Sequence, residues 1–204
     1  MFTGIISHKA VVHSRTPRGS GARMCFQVDE AFLADCIEGD SIAVSGVCLT
    51  ALELEKDRFS ADVSVETLDK TTLGHWQKGR EVNLEKSLRA EDRLGGHMVS
   101  GHVDGRGRLL SDTPDGESHI MDFAVPSDLA RYVATKGSIG IDGISLTVND
   151  VVDEDDTFSR FSVCIIPHTL AVTSLGSLKP GDEVNLEVDM IARYLERLQA
   201  GERS

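Results

Sequence analysis

The chain has 204 residues, with 33 acidic against 21 basic side chains and a formal net charge of -12, and it carries no basic stripe of the kind that holds a nucleic acid. No run approaches the ~20 consecutive apolar residues that a membrane-spanning helix needs, and the four cysteines (Cys25, Cys36, Cys48 and Cys164) stand far apart without a CxxC pair, which argues against a zinc site or redox couple. The opening MFTGIIS has neither a basic leader nor a long apolar core, so a cytoplasmic protein with reduced thiols is expected.

After a short first segment, TGII at 3–6, a helical stretch is predicted at DEAFLADCI (29–37), where Asp29 can cap the first turn. Val47, Leu49, Ala51, Leu52 and Leu54, then Phe59, Ala61, Val63 and Val65, form short runs of approximate period-two alternation separated by the turn residues EKDR. The same order then returns. TGII aligns with SGHV (100–103), and DSIAVSGVCLT (40–50) with GSIGIDGISLT (137–147), both at an offset of 97. SVETLDKTTLG (64–74) meets IPHTLAVTSLG (166–176) at an offset of 102, the difference being absorbed by the acidic loop around DEDDTFSR. LGHWQKGREVNLE (73–85) and LGSLKPGDEVNLE (175–187) agree at 8 of 13 positions. PSDLARYVA (126–134) repeats the short helix, with Ser or Asp as its cap, and ISLTVNDVV and FSRFSVCII repeat the strands.

About six short strands in each copy, with Gly-containing turns and no long helical crossover, predict an all-β chain of two homologous six-stranded antiparallel Greek-key barrels with short helices. The copies span 1–97 and 98–188. A C-terminal helix follows over 189–204, capped by Asp189, with Ile191, Leu195 and Leu198 on one face. That face suits either packing on its own barrel or joining copies of the chain.

The two copies differ where chemistry is expected. Ile5 corresponds to His102, Ser45 to Asp142 and Cys48 to Ser145, whereas threonine is kept at Thr50/Thr147 and Thr67/Thr169. Singly, each has an ordinary explanation: a buried small cysteine, a turn aspartate before glycine, a strand threonine. His97 and His102 have no third ligand at metal spacing, so no metal is expected. GGHMVSG (95–101) has neither Rossmann nor P-loop spacing, and GxSxG does not occur. Together, the coincidence of His102, Asp142 and Ser145 in one copy points to a duplicated binding pocket with unequal chemistry in its two versions.

MFTGI, SGVCLT, LGGHMVSGHVDG, KGSIGIDGISLTVN and the twice-used GxEVNLE resemble riboflavin synthase, over Met1 to about Leu198. The resemblance implies that two molecules of 6,7-dimethyl-8-ribityllumazine react with each other, one donating a four-carbon unit, to give riboflavin and 5-amino-6-ribitylamino-uracil without a cofactor. It also implies a cytoplasmic homotrimer joined by the C-terminal helix. The N-terminal barrel of one subunit would face the C-terminal barrel of the next, with lumazine synthase as a partner.

For the N-terminal pocket the resemblance implies Phe2, Gly4, Ile5 and Ile6, then Ser41, Cys48, Leu49 and Thr50, then Asp62, Val63, Ser64, Val65, Glu66 and Thr67. For the C-terminal pocket it implies Gly101, His102 and Val103, then Lys136, Asp142, Ser145, Leu146 and Thr147, then Ile166, Pro167, His168, Thr169 and Leu170. Phe2, Cys48, His102, Asp142 and Ser145 are the expected catalytic set: Cys48 or Ser145 activates a nucleophile, and His102 and Asp142 transfer protons. Val47 stands where some members have a second cysteine, and His168 where some have Glu. Non-catalytic lumazine-binding antenna proteins lack this set. A flavoprotein reductase would need a nicotinamide domain, for which the chain has no room.

Overall fold

The computed structural model describes residues 1–201, so the last three residues of the predicted 189–204 segment lie outside the described residues. The first copy supplies strands β1 (His8–Arg18), β2 (Gly21–Gln27), β3 (Ser41–Val44), β4 (Val47–Thr50), β5 (Arg58–Val63) and β6 (Glu81–Lys86). They form one antiparallel sheet in the order β4-β3-β6-β1-β2-β5. The second copy supplies β7 (Gly105–Asp115), β8 (Ser118–Pro126), β9 (Ser138–Ile141), β10 (Ile144–Asp153), β11 (Phe158–Ile165) and β12 (Glu183–Val188). These close into a barrel in the equivalent order, β10-β11-β8-β7-β12-β9. The predicted all-β, two-copy architecture is therefore present.

Closure differs for a local reason. β10 runs on to Asp153 and pairs with β11 along its length, whereas β4 stops at Thr50 and the chain turns through Glu53 at φ +49°. What joins the ends of the first sheet is the bridge between Leu52 and Ser60, each N–H donating to the other's carbonyl at 2.8 Å.

Period-two alternation fills each interior. Ala22, Met24 and Phe26 of β2 point inward, as do Met121, Phe123 and Val125 of β8. Phe26 lies opposite Phe59 with ring centroids 5.2 Å apart, and Phe123 opposite Phe161 at 5.7 Å. Such cross-strand aromatic pairs each contribute about 0.5–1.5 kcal/mol beyond their burial.

The predicted short helices are shorter than their sequence patterns. α1 (Glu30–Leu33) and α3 (Ser127–Ala130) are single turns, too short to stand without packing, and Phe32 and Leu33 supply that packing for α1. Asp29 caps α1 through Ala31 N, but α3 begins at Pro126 with no side-chain cap. α2 (Val65–Lys70) and α4 (Pro167–Val172) occupy equivalent places after β5 and β11. The C-terminal helix α5 (Met190–Gly201) is capped as predicted, with Asp189 Oδ1 accepting from Ile191 N at 3.0 Å. Its polar side is tied to the second barrel by Arg193 to Asp104 at 2.6 Å and Glu196 to Arg131 at 2.9 Å. Ile191, Leu195 and Leu198 are more than half exposed, so the apolar face does not lie on its own barrel.

The copies meet through reciprocal backbone contacts that explain why SGVCLT returns as DGISLT. A Cβ on Gly46 would stand 2.7 Å from Gly143 N, and a Cβ on Gly143 would stand 2.6 Å from Gly46 N. Asn83 Nδ2 donates to Asp142 O and Asn185 Nδ2 donates to Ser45 O, both at 2.9 Å. The repeated glycine turn is the seam between the repeats.

Candidate active site

The first segment of each copy crosses to the other copy's barrel. Ser145 N donates to Gly4 O at 2.8 Å, and Cys48 N donates to Gly101 O at 2.9 Å. Ile6 packs on the core of the second barrel and Val103 on that of the first. The allocation of Gly4–Ile6 to the N-terminal pocket and Gly101–Val103 to the C-terminal one is thereby reversed: the glycine offset pairs equivalent positions, but the backbone hydrogen bonds pair exchanged ones.

Two buried carboxylates hold the crossed segments. Glu85 accepts from Thr3 N at 2.6 Å, Thr3 Oγ1 at 2.7 Å and Gly4 N at 2.9 Å. Glu187 accepts from Ser100 N at 2.6 Å, Ser100 Oγ at 2.7 Å and Gly101 N at 3.0 Å. Burial raises both carboxyl pKa values, against the lowering effect of these donors. Gly4 and Gly101 both have φ above +70°, and a Cβ on either would lie 2.6 Å from the Cβ of Ser145 or Cys48 respectively. Close approach at these two points requires glycine.

Cys48 and Ser145 are therefore half-buried at equivalent strand positions, each beneath the other copy's leading segment. Phe2 is fully buried, bridged to Val99 and packed with Ala43 and Cys48, so it backs Cys48 without itself being exposed. Thr50 and Thr147 are exposed, paired with Ser41 and Ser138. Ile5, Val65 and Ile166 are exposed apolar side chains, and His102 is exposed with its backbone N–H donating to Ser100 Oγ at 3.2 Å.

Other predicted lining residues serve the fold. Leu49 and Val63 point into the first core, Leu146 and Leu170 pack against the second, and Asp62 is paired with Arg23 at 2.8 Å and Arg18 at 3.2 Å. Ser64 caps α2, its Oγ accepting from Thr67 N at 3.1 Å and lying 3.0 Å from Thr67 Oγ1. Glu66, Lys136, Pro167 and His168 are exposed and Thr169 half-buried, and Lys136 adopts φ +66°.

Asp142 departs furthest from its expected role. It sits at φ +46° in the buried turn between β9 and β10, and its Oδ1 accepts from Asn185 N at 2.8 Å. No hydrogen bond joins it to His102 among the described residues. A carboxyl at the seam between repeats holds that seam, as Ser45 does in the first copy by accepting from Asn83 N at 3.2 Å.

A model described as the lumazine binding domain matches residues 3–87 and 100–189. Over 97% of its length the chain is 44% identical to the riboflavin synthase of Mycobacterium tuberculosis (strain ATCC 25618 / H37Rv), covering 98% of that protein. This chain belongs to the riboflavin synthase family. A riboflavin synthase of Photobacterium phosphoreum is 41% identical, with 97% of this chain and 88% of that protein covered, and one of Bacillus subtilis (strain 168) is 37% identical, with 97% and 89% covered. Among solved structures, LumP complexed with 6,7-dimethyl-8-(1'-D-ribityl) lumazine superposes with a TM-score of 0.80 at 22% identity, over 92% of this chain and 99% of that one, a likeness of fold.

Within this riboflavin synthase fold, sequence reasoning missed the structural part of the repeated EVNLE. Its Asn and Glu are identical in both copies because they hold the seam and the crossed segments. His97, which has no third metal ligand at the right spacing, has its Nδ1 2.7 Å from Ser145 Oγ.

Burial raises the Asp142 pKa to about 7. Between about pH 4, where an unfolded aspartate ionises, and pH 7 the folded chain keeps a proton that the unfolded chain releases. Its contribution to stability is therefore full at acid pH and is lost as pH rises through 7. Asp142→Asn keeps the acceptor for Asn185 N and removes the ionisation. At pH 8 the variant is expected to exceed the wild type by on the order of 1–3 kcal/mol in urea unfolding, with the gap closing at pH 4; an equal or larger gap at pH 4 would contradict the assignment.

Proposed function

We propose that this chain is a riboflavin synthase. It brings together two molecules of 6,7-dimethyl-8-ribityllumazine, moves a four-carbon unit from one to the other, and releases riboflavin and 5-amino-6-ribitylamino-uracil, the last step of riboflavin biosynthesis. The observation that carries this is 37–44% identity over 97% of the chain to proteins of that name. The paired sites support it, since a reaction between two copies of one molecule calls for two similar pockets with different chemistry.

In the pocket on the first barrel, Cys48 and Thr50 act with the crossed Gly101, His102 and Val103, backed by Phe2, and with Thr67 from α2. In the pocket on the second barrel, Ser145 and Thr147 act with the crossed Gly4, Ile5 and Ile6, and with Thr169 from α4. The lumazine ring is electron-poor and its 7-methyl protons are acidic, so a placed base and fixed hydrogen bonds suffice to form the carbanion. Holding two rings together supplies about 7–11 kcal/mol in favourable cases, and a positioned proton-transfer group adds typically ~10²–10⁴-fold. His102, exposed and next to the Gly101 that meets Cys48, is the proton-transfer group of the first pocket.

The two repeats act as lumazine-binding units, 1–97 and 98–188, and the segment 189–204 joins three chains in a cytoplasmic homotrimer. The exposed Ile191, Leu195 and Leu198 support that assembly. It sets the first barrel of one subunit against the second barrel of its neighbour, and lumazine synthase is the partner that supplies substrate.

Protein stripped of ligand and mixed with 6,7-dimethyl-8-ribityllumazine alone should consume two lumazines per riboflavin formed, as followed by chromatography. The same preparation should sediment at three times 22.1 kDa. Tight binding without turnover would instead make the protein a lumazine carrier of the antenna type.

A further inference from the structure

His102 and His97 stand in different relations to the strand residues Cys48 and Ser145. His102 follows Gly101 over Cys48 and is exposed. His97 is half-buried, its Nδ1 is 2.7 Å from Ser145 Oγ, and its Nε2 is enclosed without a hydrogen-bond partner among the described residues. No imidazole bonds Cys48 among the described residues. Two sites that share backbone geometry thus differ, among the described residues, in whether the hydroxyl or thiol has a histidine partner.

The His97 side chain is held there by its own segment. His97 N donates to Thr3 O at 3.2 Å, Val99 N donates to Phe2 O at 3.1 Å, and Phe2 N donates back to Val99 O at 2.7 Å. Just before it, a Cβ on Gly96 would meet Thr3 O at 2.2 Å, Ser145 Cβ at 2.6 Å and Ser145 Oγ at 2.7 Å. Only glycine lets the segment lie against Ser145 so closely. Thr3 and Gly4 are in turn fixed by Glu85, and Gly4 O receives Ser145 N. Ser145, the crossed segment and the His97 segment form one rigid stack.

We propose, resting on the reading of this chain as a riboflavin synthase, that His97 is a positioning residue which takes the hydrogen bond of the Ser145 hydroxyl on Nδ1 and so turns the Ser145 oxygen lone pairs toward the substrate in the second pocket. This makes the second pocket the one with a pre-aligned, electron-rich oxygen, and leaves the first with a thiol and a free-standing imidazole. Burial lowers the His97 pKa, which favours the neutral ring, and the tautomer that accepts on Nδ1 carries its proton on the enclosed Nε2. Unequal roles for two equal substrates then follow from one hydrogen bond that the repeat does not copy.

A double-mutant cycle tests it, with the wild type, His97→Ala, Ser145→Ala and the double variant assayed for riboflavin formation from 6,7-dimethyl-8-ribityllumazine. His97→Ala is expected to lower kcat by about 10- to 100-fold with KM within about threefold of wild type. In the Ser145→Ala background the same change should have no further effect, because the group through which His97 acts is gone. His97→Asn, which can offer Oδ1 near the place of Nδ1, should restore much of kcat. Independent multiplication of the two losses, an unchanged kcat in either single variant, or failure of asparagine to restore the rate would overturn the proposal. Should His97→Ala not fold, His97→Phe keeps the volume without the nitrogen and carries the same cycle. A wild type that makes no riboflavin sinks the functional reading itself and this proposal with it, whereas an active wild type with additive variants sinks this proposal alone.

Discussion

Gly143→Ala is expected to be strongly destabilising, with a loss of more than about 3 kcal/mol and a large insoluble fraction on expression. Two costs combine at this residue. Gly143 has φ +79°, where an L side chain costs roughly 1–2 kcal/mol. The added Cβ would also stand 2.6 Å from Gly46 N, 3.0 Å from Gly46 Cα and 3.5 Å from Ser45 C. All three are backbone atoms, so no rotamer change relieves the overlap and the repeats must separate. Separation would stretch the hydrogen bonds of Asn83 and Asn185 across the same seam. Gly116→Ala is the control: φ is +63° and nothing lies within 4 Å of the added Cβ, so only the conformational cost remains. Urea unfolding of the two variants measures the difference, and equal losses would mean that the glycine contact is not what holds the repeats together.

The repeat, the alternating strands and the capped terminal helix could all be read from the residues, because each is a local pattern: period two, a conserved spacing, an Asp before an apolar stripe. Closure of only the second sheet along a full strand was not readable, since it turns on where β4 stops and Glu53 bends the chain. The exchange of leading segments was invisible for a deeper reason. An internal alignment says which residues are equivalent, and Gly4 is equivalent to Gly101, but equivalence is satisfied whether each segment packs on its own barrel or on the other. The choice is made by long-range hydrogen bonds from Ser145 and Cys48.

Asp142 and His97 differ in how far the sequence shows their surroundings. Asp142 differs from its counterpart Ser45 and so looked like chemistry, yet both residues occupy the same buried turn and both accept a backbone N–H from the β-strand asparagine that follows. The difference between copies is real, and in the structure both residues hold the turn at the seam. His97 lies in the connection between repeats, where no counterpart exists for comparison, and its tie to Ser145 is a contact across 48 residues. Comparison of copies finds residues that changed, and it overlooks residues that belong to neither pattern.

Asn185→Ala is the second large effect expected, and it separates the seam from the pockets. Asn185 is buried, its Oδ1 accepts from Thr72 N at 2.8 Å and Thr72 Oγ1 at 3.1 Å, and its Nδ2 donates to Ser45 O at 2.9 Å. Truncation leaves a backbone donor and a backbone acceptor unpaired in a place closed to water, and each such group costs about 1–3 kcal/mol. A total loss of roughly 2–6 kcal/mol is therefore expected in urea unfolding. Asn185→Asp should be no better, since a buried carboxylate cannot donate to Ser45 O and is unfavourable to ionise there. Asn83→Ala should match it, because Asn83 makes the mirrored bonds to Ser174 N at 2.7 Å and Asp142 O at 2.9 Å. The crossed segments depend on this seam for their placement over Cys48 and Ser145. Residual folded protein from Asn185→Ala should accordingly show a lowered kcat even though the residue touches neither pocket. Full activity per folded chain would show that the pockets are positioned by the Glu85 and Glu187 clamps alone.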